Sequence, residues 1–336
     1  MQAPKFWQHK GIIAHLLWPL SWLYQMATRR VMHKKLAAIK CLPVPVIVVG
    51  NINVGGTGKT PVTIALIAAL QKKGYCVGLI SRGYGRTSEG CIVADATSSP
   101  KVLGDEPYLI REKTGVAVAV CADRHQAGIA LLNAAPDIDV IISDDGLQHY
   151  ALARDFEIAV IGEQGVGNGY VMPAGPLREP VSRLASVSAI VSKVPCDDLT
   201  PYIDRCYDLK QTLGLPYPLH QPTITTNWCN LTHASAVAGI AHPDNFFRAL
   251  KAQGVHITPY PFDDHHAFCE QDFAKIRDPI VMTEKDAVKC THILKDRAVF
   301  VVPLETTLPD ALITNITHCI QKKVDAISLK ERRLNV

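Results

Sequence analysis

Residues 53–60 read Asn-Val-Gly-Gly-Thr-Gly-Lys-Thr, between an apolar β-branched run at Val44–Val49 and a helix-competent stretch closed by Gly74. No other segment constrains the fold as much. Strand, glycine-rich turn and helix in that order commit the chain to a sheet whose strand ends hold an anion. Gly55, Gly56 and Gly58 carry no Cβ, so backbone N–H groups can converge on phosphate oxygens. Lys59 then reaches the β and γ phosphates, the Thr60 hydroxyl ligates the accompanying magnesium, and the helix offers its positive end. Against the pattern G-x-x-x-x-G-K-[ST], Asn53 stands where the first glycine belongs. Asparagine tolerates left-handed backbone angles, so the turn survives. The expected cradle is Asn53, Val54, Gly55, Gly56, Thr57, Gly58, Lys59 and Thr60. The bland alternative is a glycine-rich turn that binds nothing.

Further strand patterns at Tyr75–Ile80, Val116–Val120, Val140–Ser143, Phe156–Ile161 and Ala189–Val191 alternate with helical stretches. Such alternation predicts a mostly parallel sheet with helices on both faces, its ligands beyond the carboxyl ends of the strands. About 196–228 the chain turns rich in Pro, Thr and Tyr without helical period, which reads as connecting β structure or a linker. Alternation resumes with Ala236–Ile240, a helix near Asp244–Gln253, Val255–Tyr260, Ile280–Thr283 and Ala298–Pro303. With 336 residues and 48% apolar composition there is room for two cores. The expected division is an N-terminal helical segment at 1–40, a P-loop core at 41–215 and a smaller α/β lobe at 216–336.

Residues 11–28 contain no Asp, Glu, Lys or Arg, and Arg29, Arg30, Lys34 and Lys35 follow. His15, Pro19, Ser21 and Gln25 interrupt the apolar run, and no small-residue cleavage site follows it, so neither a spanning helix nor a signal peptide fits well. Ile12, Ile13, Leu16, Leu17, Leu20, Leu23 and Tyr24 recur at helical spacing, with Trp18 and Trp22 suited to a headgroup zone. An amphipathic helix lying on an anionic membrane surface is the expectation; the alternative is a helix packed on its own domain. A net charge of +4 without a basic block gives no reason to expect nucleic acid as a partner. Ten scattered cysteines without a Cys-x-x-Cys pair suggest reduced cytosolic thiols.

Val140–Gly146 ends an apolar strand in Asp144 and Asp145, where P-loop proteins keep the acid that holds magnesium. Gln148 and His149 follow on the same expected ligand face. Asp-Asp-Gly is also good turn chemistry. Asp105, in Gly-Asp-Glu-Pro with Glu106, is either a helix cap or a carboxylate able to take a hydroxyl proton. Asp263-Asp264-His265-His266 offers acid/base or capping groups in the second lobe. The Gly- and Pro-rich stretch Gly165–Pro180 carries Arg178, either a fork for phosphate oxygens or a solvated side chain, and Glu179.

Taken in order, Gly50–Pro61, Ser81-Arg82-Gly-Tyr-Gly-Arg86, Gly104–Pro107, Ser143–His149, Gly175–Glu179, Asp264-His265 and Thr283-Glu-Lys-Asp286 resemble the tetraacyldisaccharide 4′-kinase family of lipid A biosynthesis. The resemblance implies an ATP- and Mg²⁺-dependent transfer of phosphate to the 4′-hydroxyl of a tetraacylated glucosamine disaccharide 1-phosphate. It implies work at the cytoplasmic face of a bacterial inner membrane, peripheral or monotopic, with no obligate protein partner. It assigns Asp105 as base supported by His265, and Thr60, Asp144 and Asp145 to the metal. Arg82, Glu106, Gln148, His149, Arg178 and Glu179 go to substrate or transition state. The family often has Phe-Pro-Asp-His where this chain has Phe262-Asp263-Asp264-His265; the alignment is taken on Asp264-His265, which leaves the role of Asp263 open.

Two rivals belong to other classes. A regulatory GTPase needs Asn/Thr-Lys-x-Asp, and Thr283-Glu-Lys-Asp286 has its Lys one place late. A membrane-associated partitioning-type ATPase needs a second loop lysine at residue 54, which is Val.

Overall fold

The computed structural model describes residues 4–193, 195 and 197–334; Cys196, one of the ten cysteines, lies outside them. After an N-terminal helix α1 (Ile12–Leu36), the chain enters β1 (Val46–Gly50), the glycine loop and α2 (Lys59–Lys72). There follow β2 (Val77–Ser81), β3 (Ile92–Val93), α3 (Pro100–Leu103), α4 (Asp105–Thr114), β4 (Ala117–Val120) and α5 (Arg124–Ala134). The larger sheet is completed by β5 (Val140–Asp144), β6 (Phe156–Ile161), β7 (Ala189–Ser192) and β8 (Cys206–Asp208).

These strands run in the order β3-β4-β2-β5-β1-β6-β7-β8, all parallel except the short edge strand β3. Continuous Val/Ile runs demand cover on both faces, which the flanking helices supply. One face buries Ile47, Val49, Leu66, Leu70, Leu79 and Ile142. The other buries Val46, Val48, Ile52, Ile80, Ile141 and Leu147. The β1/β5 register sets Val49 opposite Asp144, so the glycine loop and the carboxylate pair leave neighbouring strand ends side by side.

The weakly patterned linker contains β9 (Lys210–Leu213) and β10 (Tyr217–Pro218). The smaller lobe then adds β11 (His233–Ala238), α6 (Pro243–Ala252), β12 (His256–Pro261), α7 (Glu270–Phe273), β13 (Ile280–Thr283), α8 (Glu284–Cys290) and β14 (Val299–Val302). Its sheet order is β10-β14-β13-β11-β12, parallel apart from β10. From β14 the chain returns through β15 (Leu304–Thr307), which pairs antiparallel with β9 in a two-stranded ribbon between the lobes. The last helix, α9 (Asp310–Leu334), belongs by packing to the larger lobe: Leu312, Ile313, Ile316 and Ile320 join the cluster of Leu66, Ile67 and Leu70. The segment 216–336 therefore contributes to both cores.

Helix α1 buries only Ala14 and Ser21. Ser21 Oγ donates to the Val171 carbonyl at 2.7 Å and accepts from the Ala174 N–H at 3.0 Å, docking the helix on the glycine- and proline-rich stretch. Ile12, Leu16, Leu20 and Leu23, three or four residues apart, form an exposed apolar stripe, with Ile12 81% and Leu16 74% accessible. Trp18 and Trp22 are exposed as well. Among the described residues no helix is long and apolar enough to cross a membrane.

Candidate active site

The glycine loop is built by two left-handed glycines, Gly55 (φ 97°) and Gly58 (φ 86°), the latter capping α2. A Cβ on Gly56 would come within 2.9 Å of Ala241 Cβ, so the smaller lobe approaches the loop directly. The Gly165–Pro180 stretch braces the loop from behind. Asn53 Nδ2 donates to the Gly165 carbonyl at 3.0 Å, and the Val54 N–H donates to the Pro176 carbonyl at 2.8 Å. Thr57 is buried and accepts from Asn51 Nδ2 at 3.0 Å. Lys59, the first residue of α2, has its Nζ 3.5 Å from Asp145 Oδ1, and Thr60 follows it in the first turn.

Asp144 is 1% accessible and accepts from Thr63 Oγ1 at 3.0 Å. Burial, with Glu106 and Asp145 nearby, pushes its carboxyl up to about 7 against the opposing pull of Lys59 and Thr63. Asp145 behaves differently. Burial works against its ionisation, but Lys59 and Arg178 outweigh it and hold its carboxyl below the ordinary value. Asp145 also adopts φ 47°, a left-handed conformation uncommon outside glycine, which turns its side chain out of the strand line. Crowded carboxylates, one of them reluctant to ionise, suit a hard divalent cation, whose charge would keep Asp144 ionised. Among the described residues no three His, Cys, Asp or Glu side chains cluster for a metal. Magnesium needs no such cluster, since phosphates and water supply most of its oxygens.

Behind Asp145, Arg178 Nη1 lies 3.5 Å from both Asp145 Oδ1 and Gln148 Oε1. Gln148 Nε2 donates to Glu179 Oε2 at 2.7 Å and to the Asn51 carbonyl at 2.9 Å. The Tyr150 hydroxyl donates to the other Glu179 oxygen and is itself backed by Arg183 Nε at 3.1 Å. Gln148, Arg178 and Glu179 thus form one chain leading to Asp145. His149 faces elsewhere: its Nε2 sits 3.4 Å from the backbone N–H of Arg124, and burial with Arg124 and Lys35 nearby lowers its imidazole to about 4. Arg82 is exposed just past the end of β2.

Asp105 opens α4 after Gly104 (φ 92°), where a Cβ would meet the Tyr84 carbonyl at 2.8 Å. No side-chain cap bond closes that helix start. Instead Asp105 Oδ2 lies 3.4 Å from Nδ1 of His265, a residue of the other lobe. Like Asp145, His265 is a non-glycine residue with positive φ, at 61°. Its ring meets that of Tyr84 edge-on at 5.2 Å between centroids and 62° between planes. Lys285 on α8 joins the group, with Nζ 3.0 Å from Glu106 Oε1, 3.1 Å from Asp264 Oδ1 and 3.3 Å from His265 Nε2. His266 turns the other way, to Asp272 Oδ2 at 3.0 Å. Sequence reasoning gave no role to Lys285, although it lies within Thr283-Glu-Lys-Asp286, nor to Thr63 or Arg124. Thr63 was signalled by its place one turn after Thr60 on α2. Arg124 is buried, which lowers its guanidinium to about 10 even with Asp144 and Asp145 nearby.

A parallel sheet, a glycine loop capping the next helix and acids at the adjoining strand end define a P-loop nucleotide-binding protein. A family model described as Tetraacyldisaccharide-1-P 4'-kinase matches residues 13–321, and the chain belongs to that family. The Tetraacyldisaccharide 4'-kinase of Dechloromonas aromatica (strain RCB) is 44% identical over 307 residues, 90% of this chain and 91% of the relative. That of Mannheimia succiniciproducens is 42% identical over 332 residues, covering 95% and 98%. The crystal structure of LpxK from Aquifex aeolicus in complex with ATP is similar at a TM-score of 0.76 and 26% identity, covering 92% of this chain and 100% of that one.

Proposed function

We propose that the protein phosphorylates the 4′-hydroxyl of a tetraacylated glucosamine disaccharide 1-phosphate with ATP, giving lipid IVA. One observation carries the catalytic reading: Asp105 and His265, from different lobes, face each other at 3.4 Å, and Glu106 beside Asp105 lies near enough to Asp144 to act on its charge. A phosphoryl acceptor needs a group to take its hydroxyl proton, and a pair brought together across a cleft is suited to a sugar headgroup entering there. The glycine loop and Lys59 hold the triphosphate. Thr60, Asp144 and Asp145 would hold magnesium, which when bound supplies charge neutralisation on the β and γ phosphates. Arg178, oriented through Gln148 and Glu179, faces the same charge. The hydroxyl proton passes to the Asp105–His265 pair as its oxygen attacks the γ-phosphorus in line, the bond from that phosphorus to the β,γ-bridging oxygen breaks and ADP leaves.

The four acyl chains contribute roughly 0.8 kcal/mol per buried CH₂ in a bilayer, so the substrate stays there and the enzyme must come to it. The exposed stripe of α1, followed by Arg29, Arg30, Lys34 and Lys35, supports peripheral attachment to the anionic cytoplasmic face of the inner membrane. The decisive experiment incubates the protein with γ-labelled ATP and the tetraacyl disaccharide 1-phosphate in detergent. Label on the lipid is expected. Hydrolysis of ATP at the same rate without the lipid, and no labelled lipid, would refute the reading.

A further inference from the structure

We propose that Lys285 is a positioning residue: it holds His265 as a neutral imidazole with its proton on Nδ1 toward Asp105, and ties that state to the docking of the lobes. An ammonium has three N–H donors and no acceptor. All three are engaged, by Glu106 Oε1, Asp264 Oδ1 and His265 Nε2. A ring nitrogen that faces an ammonium must present its lone pair, so the ring proton sits on Nδ1, the atom 3.4 Å from Asp105 Oδ2.

Without Lys285 the surroundings favour a different state. With the ammonium removed, each ring nitrogen of His265 would face a carboxylate, Nδ1 that of Asp105 on α4 at 3.4 Å and Nε2 that of Asp264 beside it at 3.9 Å. The other group packed on the ring, Tyr84, is uncharged. Among the described residues Lys285 is the cation placed on this ring, opposite both acids. Burial works against its charge, but Glu106 and Asp264 outweigh it and hold the ammonium above the ordinary lysine value. It stays charged wherever the pair has to work.

Glu106 gives the device its second property. It lies on α4 of the larger lobe, next to Asp105, while Lys285, Asp264 and His265 belong to the smaller one. The same two helices are joined again, about two turns further along α4, by Lys113 and Glu284. The ammonium reaches all three partners only when the lobes are together, so the prepared state of the pair exists only in the assembled cleft.

This inference rests on the reading of Asp105–His265 as the proton acceptor, and the test separates the two. The full-length protein is labelled with [¹⁵N]histidine, and the His265 ring signals are assigned by their loss in His265→Asn. At pH 7 the wild type is expected to show a neutral ring protonated at Nδ1. Lys285→Met should instead show Nε2 carrying a proton. Its kcat at pH 7 should fall roughly 10–100-fold, with KM for ATP within about twofold. Lys285→Arg, which keeps a cationic donor, should retain the wild-type ring signals; should Lys285→Met not fold, Lys285→Gln replaces it. A wild-type ring doubly protonated at pH 7, or unchanged signals in the neutral variant, overturns the proposal. Full turnover by His265→Asn would instead overturn the proton-transfer reading, whatever the spectra show.

Discussion

Asp144 shows how one residue links stability to chemistry. Its carboxyl is pushed up to about 7 in the folded protein, whereas in the unfolded chain it releases its proton near pH ~4. The folded state thus holds the extra proton between those values. Its contribution to stability is complete below the unfolded value and is lost as pH rises to about 7. Asp144→Asn keeps the shape and an acceptor for Thr63 but can never charge. In nucleotide-free protein at pH 8 the variant should be more stable than the wild type by roughly 2–4 kcal/mol. The gap should close as the pH is lowered toward 5. On the proposed reading of Asp144 as a metal ligand, turnover should fall by on the order of 10³. Urea melts across that pH range decide the first point, and equal stabilities at pH 8 would remove burial strain at this carboxylate. Asp144 and Lys59 were legible in the sequence because a loop and a strand end announce them locally. Lys285 was not. Its meaning lies in Glu106, 179 residues away, and no spacing rule connects the two.

Among the elements, α1 and the α3–α4 junction carry opposite lessons. The helical spacing of the α1 apolar residues was visible in sequence, and so were the long Val/Ile strands. The ribbon of β9 and β15 was not, since Lys210–Leu213 and Leu304–Thr307 are mixed in polarity and pair across the whole smaller lobe. Leu16 and Leu20 are exposed, so replacing both with Gln should leave the melting temperature nearly unchanged. Binding to anionic vesicles, followed by co-sedimentation, should drop at least about tenfold, as several buried methylenes per chain are lost. Retained binding would refute the proposed attachment through α1. At the junction, Gly104 combines φ 92° with a 2.8 Å approach to the Tyr84 carbonyl. Gly104→Ala should cost about 1–2 kcal/mol from the backbone angle alone, and more from the contact. It should also pull Asp105 away from His265, so kcat should fall while ATP affinity, measured by calorimetry, holds.

Across the whole molecule the chain folds back on itself. It completes the larger sheet, builds the smaller lobe, returns through the ribbon and lays α9 on α2. The helix that follows the glycine loop is thereby clamped by residues more than two hundred positions later. The expected division at residue 216 could not anticipate this, because an amphipathic terminal helix carries no mark of which core it will cover. The consequence is testable at a site remote from any chemistry. Ile316 is fully buried between α9 and the larger lobe, and Ile316→Ala should destabilise that lobe by about 2–5 kcal/mol. Hydrogen exchange should therefore quicken in α2, β1 and β5, although these precede the mutated residue by most of the chain. The smaller sheet, with its own buried clusters around Phe273, Met282, Phe246 and Leu250, should keep its protection. If exchange instead quickened in β11 and β13 with α2 unchanged, α9 would belong to the smaller lobe. The glycine loop would then lose the brace that the end of the chain supplies.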